Sequence, residues 1–198
     1  IGGAASASAE QSSIESNVDG ITSLENIKLI KTENNENIVI SRNTRIHVYD
    51  EKNNLKMSYK IPFGSKLKIK EKEKVKKFDI LAEWDPYTVP IIAEKGGKIK
   101  FIDLEEGVSV KEVVDETTGI SNQVITDWRH ISKAKDIKPQ IAITNNKGKI
   151  IKLSNDNEAR YFLSIDTILS VNDSDNVSTG TVIARIPKES SKTKDITG

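Results

Sequence analysis

"YKIPFGSKLKIKEKEKVKKFDILA" (59–82) lies over "YFLSIDTILSVNDSDNVSTGTVIA" (161–184) without a gap, at an offset of 102 residues. Tyr59 falls on Tyr161, Leu67 on Leu169, Val75 on Val177 and Ala82 on Ala184, with Ile69/Val171 and Ile80/Val182 as conservative partners. Such a match marks an internal repeat. Upstream, "HVYDEKNN" (47–54) and "AITNNKGK" (142–149) read as corresponding hairpins, reached only with a gap. The simplest account is two tandem copies of one small β domain, joined near residues 103–115.

The surrounding chain reads as strand after strand. "NIKLIKT" (26–32) and "NIVIS" (37–41) flank a polar turn, and "TRIHVYD" (44–50) leads through "EKNN" into "LKMSYKI" (55–61). Short runs rich in Ile and Val, separated by Asn, Asp and Gly, are the all-β pattern, and helical periodicity is nowhere sustained. Further strands are predicted at 66–70, 89–94, 98–102, 108–114, 122–127, 140–144, 149–153, 160–163, 167–171 and 181–186. Residues 1–20 are small and polar and predict a frayed segment; 187–198 also lack a burying pattern.

At 198 residues there is room for one large or two small domains. Thirty basic residues against twenty-nine acidic ones leave a formal charge of +1, so only local clustering can argue for nucleic acid. The absence of Cys removes disulfides, thiolate catalysis and cysteine-ligated zinc. No apolar run is long enough to span a bilayer, and no signal-peptide pattern opens the sequence, which predicts a soluble, cytoplasmic protein without membrane partners.

Few residues suggest chemistry. His47 and His130 stand far apart in different repeats, whereas zinc needs converging ligands; the alternation of "RIHVYD" points His47 toward solvent. The acidic clusters "DLEEG" (103–107), "VVDET" (113–117) and "NDSDN" (172–176) read as solvated turns. The last lacks the Gly turn and distal Glu of a calcium loop. No Walker loop or nucleophile elbow is present. More informative is "SKLKIKEKEKVKKFD" (65–79), where Lys66, Lys68, Lys70, Lys72, Lys74 and Lys76 occupy every even position. An extended run would place those ammonium groups in one row, with Leu67, Ile69 and Val75 facing the core. Such a row suits a phosphate backbone or, more simply, guards a strand edge. No aromatic interleaving accompanies it.

The repeated unit resembles the hammerhead-like hairpin of barrel-sandwich hybrid domains, an architecture shared by biotinyl and lipoyl carriers. Those carriers need one Lys at a tight turn; Lys56 beside Met57 falls in a predicted strand, and Lys95 before Gly96-Gly97 is the lone Lys near a Gly turn.

A second resemblance covers the whole chain. "IPKESSKTKDITG" (186–198) is similar to the segment ending the trigger loop of the largest subunit (β′) family of bacterial RNA polymerases. "IGGAAS" (1–6) looks like the stretch after that loop's catalytic His. "SRNT" (41–44), "YKIPFG" (59–64), "EWDPYTVPI" (83–91) and "DETTGISNQVI" (115–125) are similar to the interior of the insertion that some lineages carry there. The resemblance implies an all-β fold of two tandem barrel-sandwich hybrid motifs, with 1–20 a flexible linker, 21–110 the first domain, 111–187 the second and 188–198 the return linker. Several members have Gly-Gly where Ser191-Lys192 stands, which leaves Gly2 and Gly3 as hinge candidates, with Gly198 at the other end.

It further implies a fragment without catalytic residues or enzymatic activity of its own. The parent transcribes DNA into RNA with Mg²⁺ and structural Zn²⁺, so this chain has no cofactor. Its partners become the α, β, ω and σ subunits, with DNA and RNA reached through the complex. The implied role is to modulate trigger-loop movement, pausing and elongation; the alternative is a module contacting downstream DNA through Lys66–Lys77. An insertion of this kind must leave and re-enter its host at nearby points.

Overall fold

The computed structural model describes residues 11–134 and 136–188. Contacts divide the chain into two units between Tyr87 and Thr88. The first holds β1 (Ser13–Glu15), β2 (Gly20–Glu25), β3 (Leu29–Lys31), β4 (Asn37–Val39), β5 (Thr44–Tyr49), β6 (Leu55–Ile61), β7 (Lys66–Leu67), β8 (Lys74–Val75) and β9 (Ile80–Glu83). They form two antiparallel sheets, in the orders β1-β9-β7-β4-β3 and β6-β5-β2-β8. The second unit holds β10 (Thr88–Ile92), β11 (Gly97–Ile102), β12 (Val110–Val114), β13 (Ser121–Ile125), β14 (Gln140–Thr144), β15 (Arg160–Phe162), β16 (Ile168–Leu169), β17 (Asn176–Val177) and β18 (Val182–Pro187). Its sheets run β10-β18-β16-β13-β12 and β15-β14-β11-β17, the same order strand for strand. Two single turns of 3₁₀ helix, Trp128–His130 and Ser132–Ala134, separate β13 from β14. The fold is all-β, in four open antiparallel sheets.

The duplication is wider than the ungapped match. By strand register Ile14 corresponds to Ile91, Val39 to Ile125, Val48 to Ile143 and Ala82 to Ala184, so the offset grows from 77 to 102 as the second unit lengthens its connections. In each unit the first strand pairs with the last, with a register shift at the same place, between Ile14 and Glu15 and between Ile91 and Ile92. That pairing corrects the sequence boundary at residue 110. Residues 88–102 belong to the second unit because β10 pairs with β18 and β11 with β14 and β17. It also corrects the linker 1–20. Ser13–Glu15 form β1 on β9, and Ile14 and Val18 pack on the first core, although the segment is too polar to show a strand by itself.

Each core is built from alternating residues of both sheets. In the first unit Val39, Ile46, Val48, Ile61, Leu67, Ile69, Val75 and Leu81 are buried; in the second, Ile99, Ile125, Ile141, Ile143, Leu169, Val171 and Ile183. Each such side chain contributes about 1.5–3 kcal/mol through apolar area withdrawn from water. Tyr59 and Tyr161 add a matched polar tie. Asn17 N–H donates to the Tyr59 hydroxyl at 2.7 Å, and Glu94 N–H donates to that of Tyr161 at 3.1 Å. Burial pushes the Tyr161 phenol up from its ordinary value, against the lowering effect of that donor.

Gly20 and Gly97 open the second strand of each unit where no side chain fits. A Cβ at Gly20 would lie 2.6 Å from Val48 Cγ1 and against the Tyr49 carbonyl oxygen; at Gly97 it would lie 2.6 Å from Ile143 Cγ2 and 2.7 Å from the Thr144 carbonyl oxygen. Backbone carbonyls in a paired strand have little freedom to retreat. Gly20→Ala and Gly97→Ala are each expected to cost about 1–3 kcal/mol, read as a lowered denaturant midpoint. Unchanged midpoints in both variants would contradict this close approach.

Candidate functional site

The lysine segment folds differently from a single extended row. All six even-numbered lysines are exposed, while Leu67, Ile69 and Val75 are buried, as the alternation predicts. However, β7 carries Lys66 in one sheet and β8 carries Lys74 in the other, and the chain turns between them. Lys72 adopts a left-handed backbone conformation (φ +59°) at that turn, as Ser174 does in the second unit (φ +72°). The ammonium groups therefore spread over two strands and a turn and form no straight line. Lys66 pairs with Glu36 at 3.0 Å and Lys68 with Glu83 at 3.4 Å. Among the described residues, no carboxylate makes an ion pair with Lys70, Lys72, Lys74 or Lys76. Gly2, Gly3 and Gly198, the hinge candidates, lie outside the described residues.

No aromatic is interleaved with these lysines, but one closes the run. Phe78 follows Lys76 and Lys77, is 69% exposed, and has the Lys77 ammonium 5.2 Å from its ring centroid. The signal was present in the alignment, where Phe78 falls on Gly180.

The carboxylates of the turns serve the backbone. Glu71 Oε2 accepts from Leu24 N–H at 2.8 Å, and Asp173 Oδ1 accepts from Phe101 N–H at 2.8 Å, one interaction repeated in both units. Glu73 and Asp175 accept from the amides of Lys70 and Asn172. "NDSDN" is thus the second unit's copy of a hydrogen-bonded turn. Asp103 and Asp115 likewise accept from the amides of Lys138 and Thr117. Among the described residues, no three His, Cys, Asp or Glu side chains gather so as to hold a metal ion.

His47 lies on the outer face of β5, but its side chain is only 17% exposed, because Nδ1 meets Ser58 Oγ at 2.6 Å and Nε2 meets Glu25 Oε2 at 2.9 Å. Neighbouring strands cover a ring that alternation alone turned toward water. Lys56 lies in β6, its ammonium donating to the Asp19 carbonyl at 3.0 Å, and that of Lys95 donates to the Lys152 carbonyl at 2.8 Å.

Two features are specific to the second unit. The β12–β13 hairpin is longer than its counterpart β3–β4 and exposes Val113, Val114 and Ile120. Asp127 caps the first 3₁₀ turn, accepting from Arg129 N–H at 3.1 Å and from the Arg129 guanidinium at 2.9 Å through both oxygens, with His130 Nε2 at 3.2 Å. The guanidinium beside Asp127 holds its carboxyl far below the usual carboxylate range. A depressed folded value means the interaction is complete above the unfolded carboxylate value, about 3.9, and is lost as pH falls through the folded one. The main titration of the Asp127 carboxyl-carbon shift is therefore expected only in acid stronger than about pH 4. A midpoint near pH 4 would contradict the pairing.

No family model matches the chain. Over all 198 residues it is 46% identical to the DNA-directed RNA polymerase subunit β′ of Rickettsia bellii (strain RML369-C). It is 44% identical, again over its full length, to those of Rickettsia typhi and Rickettsia prowazekii. The chain spans about 14% of the length of each of these relatives.

Proposed function

We infer that this chain, homologous over its whole length to one segment of the β′ subunit of DNA-directed RNA polymerase, is an insertion in that subunit's trigger loop that biases the loop's movement and does no chemistry itself. The observation that carries this reading is the full-length match to a stretch making up about 14% of each relative. Its setting is the cytoplasmic polymerase, with the core subunits α, β and ω, σ, and the DNA and RNA they hold. Each unit is read as a barrel-sandwich hybrid motif. No helix among the described residues is long and apolar enough to cross a membrane. In this reading the segment carries no cofactor of its own.

The fold supports the mechanics. In the first unit Trp84 N–H donates to the Ser12 carbonyl at 2.8 Å, and in the second Thr88 sits opposite Pro187. Each unit thus begins and ends at one sheet edge, as a body spliced into a loop needs. A body attached to a two-state loop shifts its balance only by touching one state more favourably than the other. A difference of about 1.4 kcal/mol changes the populations tenfold. Deleting residues 7–189 from the assembled polymerase is expected to alter pause lifetimes while leaving basal elongation in place. Unchanged pause lifetimes would overturn the proposal.

A further inference from the structure

Residues Lys76–Asp79 form a tight turn closed by Asp79 N–H donating to the Lys76 carbonyl at 3.0 Å. Its third residue, Phe78, has φ +78°, a conformation that bulky side chains rarely adopt and that favours glycine. The second unit builds the same turn at Ser178–Thr181, with Gly180 in that place at φ +90°. The fold therefore asks for glycine here, and the first unit instead holds an aromatic ring out into solvent. Nothing in the core uses that ring, which is 69% exposed.

Its surroundings are cationic. Lys77 reaches over the ring, Lys76 precedes it, Lys74 lies on β8, and Lys56 is tied to the carbonyl of Asp19. Asp19 and Asp79 are engaged by the turn, Asp19 Oδ1 accepting from Lys77 N–H at 2.7 Å and Asp79 Oδ2 from Lys76 N–H at 2.9 Å, while Glu15 lies opposite Ile80 and Glu73 beside Lys74.

We propose that Phe78 and the lysines around it form a binding site for single-stranded nucleic acid, with one unpaired base stacked on the ring and the ammonium groups on the flanking phosphates. An exposed ring bordered by cations is the combination that single strands recognise, because every base has a face to stack and every linkage a charge. A duplex fits less well, since its bases are already stacked and the lysines form no straight row for its backbone to follow. The site is independent of the trigger-loop reading and stands or falls separately.

The test is fluorescence anisotropy of the 198-residue chain with a labelled 12-nucleotide oligothymidylate and with a duplex of equal length, at low and moderate salt. The single strand is expected to bind more tightly than the duplex. Phe78→Gly, which places glycine where the fold favours it and so keeps the turn, is expected to weaken single-strand binding about five-fold or more. Phe78→Trp is expected to retain binding, with its indole emission quenched by the oligonucleotide. Lys76→Gln with Lys77→Gln should flatten the salt dependence by roughly 1.4 in the log–log slope. No binding, equal affinity for the duplex, or affinity unchanged by Phe78→Gly would each overturn the site.

Discussion

The antiparallel pairing of the first strand of each unit with its last is the constraint on which this structure rests. β1 on β9 and β10 on β18 close each unit upon itself, place the termini of each at one sheet edge, and fix where one repeat stops and the next begins. The last strand then lies between its partner and β7 or β16, so the residues at its centre, Leu81 with Ala82 and Ile183 with Ala184, are fully buried. Removing the lead strand would expose a paired edge and the apolar residues beneath it, a larger loss than its three or five residues suggest.

Beneath that pairing, the repeats share a scaffold of turns more than a sequence. Left-handed positions recur as Asn26 and Asp103, Asn53 and Gly148, Gly64 and Asp166, Lys72 and Ser174, and Phe78 and Gly180. What persists is a backbone angle and an amide needing an acceptor, which different side chains satisfy. Glu71 and Asp173 do this for equivalent amides with side chains of different length. Turn identity is therefore free to diverge while geometry is held, and surface charge follows: lysines in one unit, serine and asparagine in the other.

Much of this was legible in the sequence. The alternation around Leu67, Ile69 and Val75, and their partners Leu169, Val171 and Val177, reported strands that bury one face, and the all-β class followed. The extent of the strands was less legible. The run predicted at 66–70 is a strand only at Lys66–Leu67, with Lys68 N–H still donating to the Leu81 carbonyl at 2.9 Å; where a ladder ends depends on its partners, which no local pattern records. Residues 149–153 make only isolated bridges, Ile150 with Thr144 and Lys152 with Glu158. The lead strand β1 was invisible for a related reason: three residues gain their order from β9, some 65 positions downstream, and not from their own composition. The domain boundary went astray with it, since ungapped alignment sees only the half of each repeat whose connections kept their length. The alignment sets Phe78 against Gly180, but the left-handed φ that gives this pairing its meaning is not legible in the sequence.

Duplication also separates what the fold requires from what one unit has added. A residue with a counterpart in the other unit at the same place, such as Tyr59 with Tyr161 or Gly20 with Gly97, is explained by packing and needs no functional account. Residues without one are the informative set: the lysines from 66 to 77, the ring at Phe78, and the lengthened β12–β13 hairpin with its exposed Val113, Val114 and Ile120. Lys72 and Phe78 sit on turns whose backbones are matched in the two units, and Phe78, Val113, Val114 and Ile120 are exposed. Two units of one architecture with dissimilar surfaces can meet different partners.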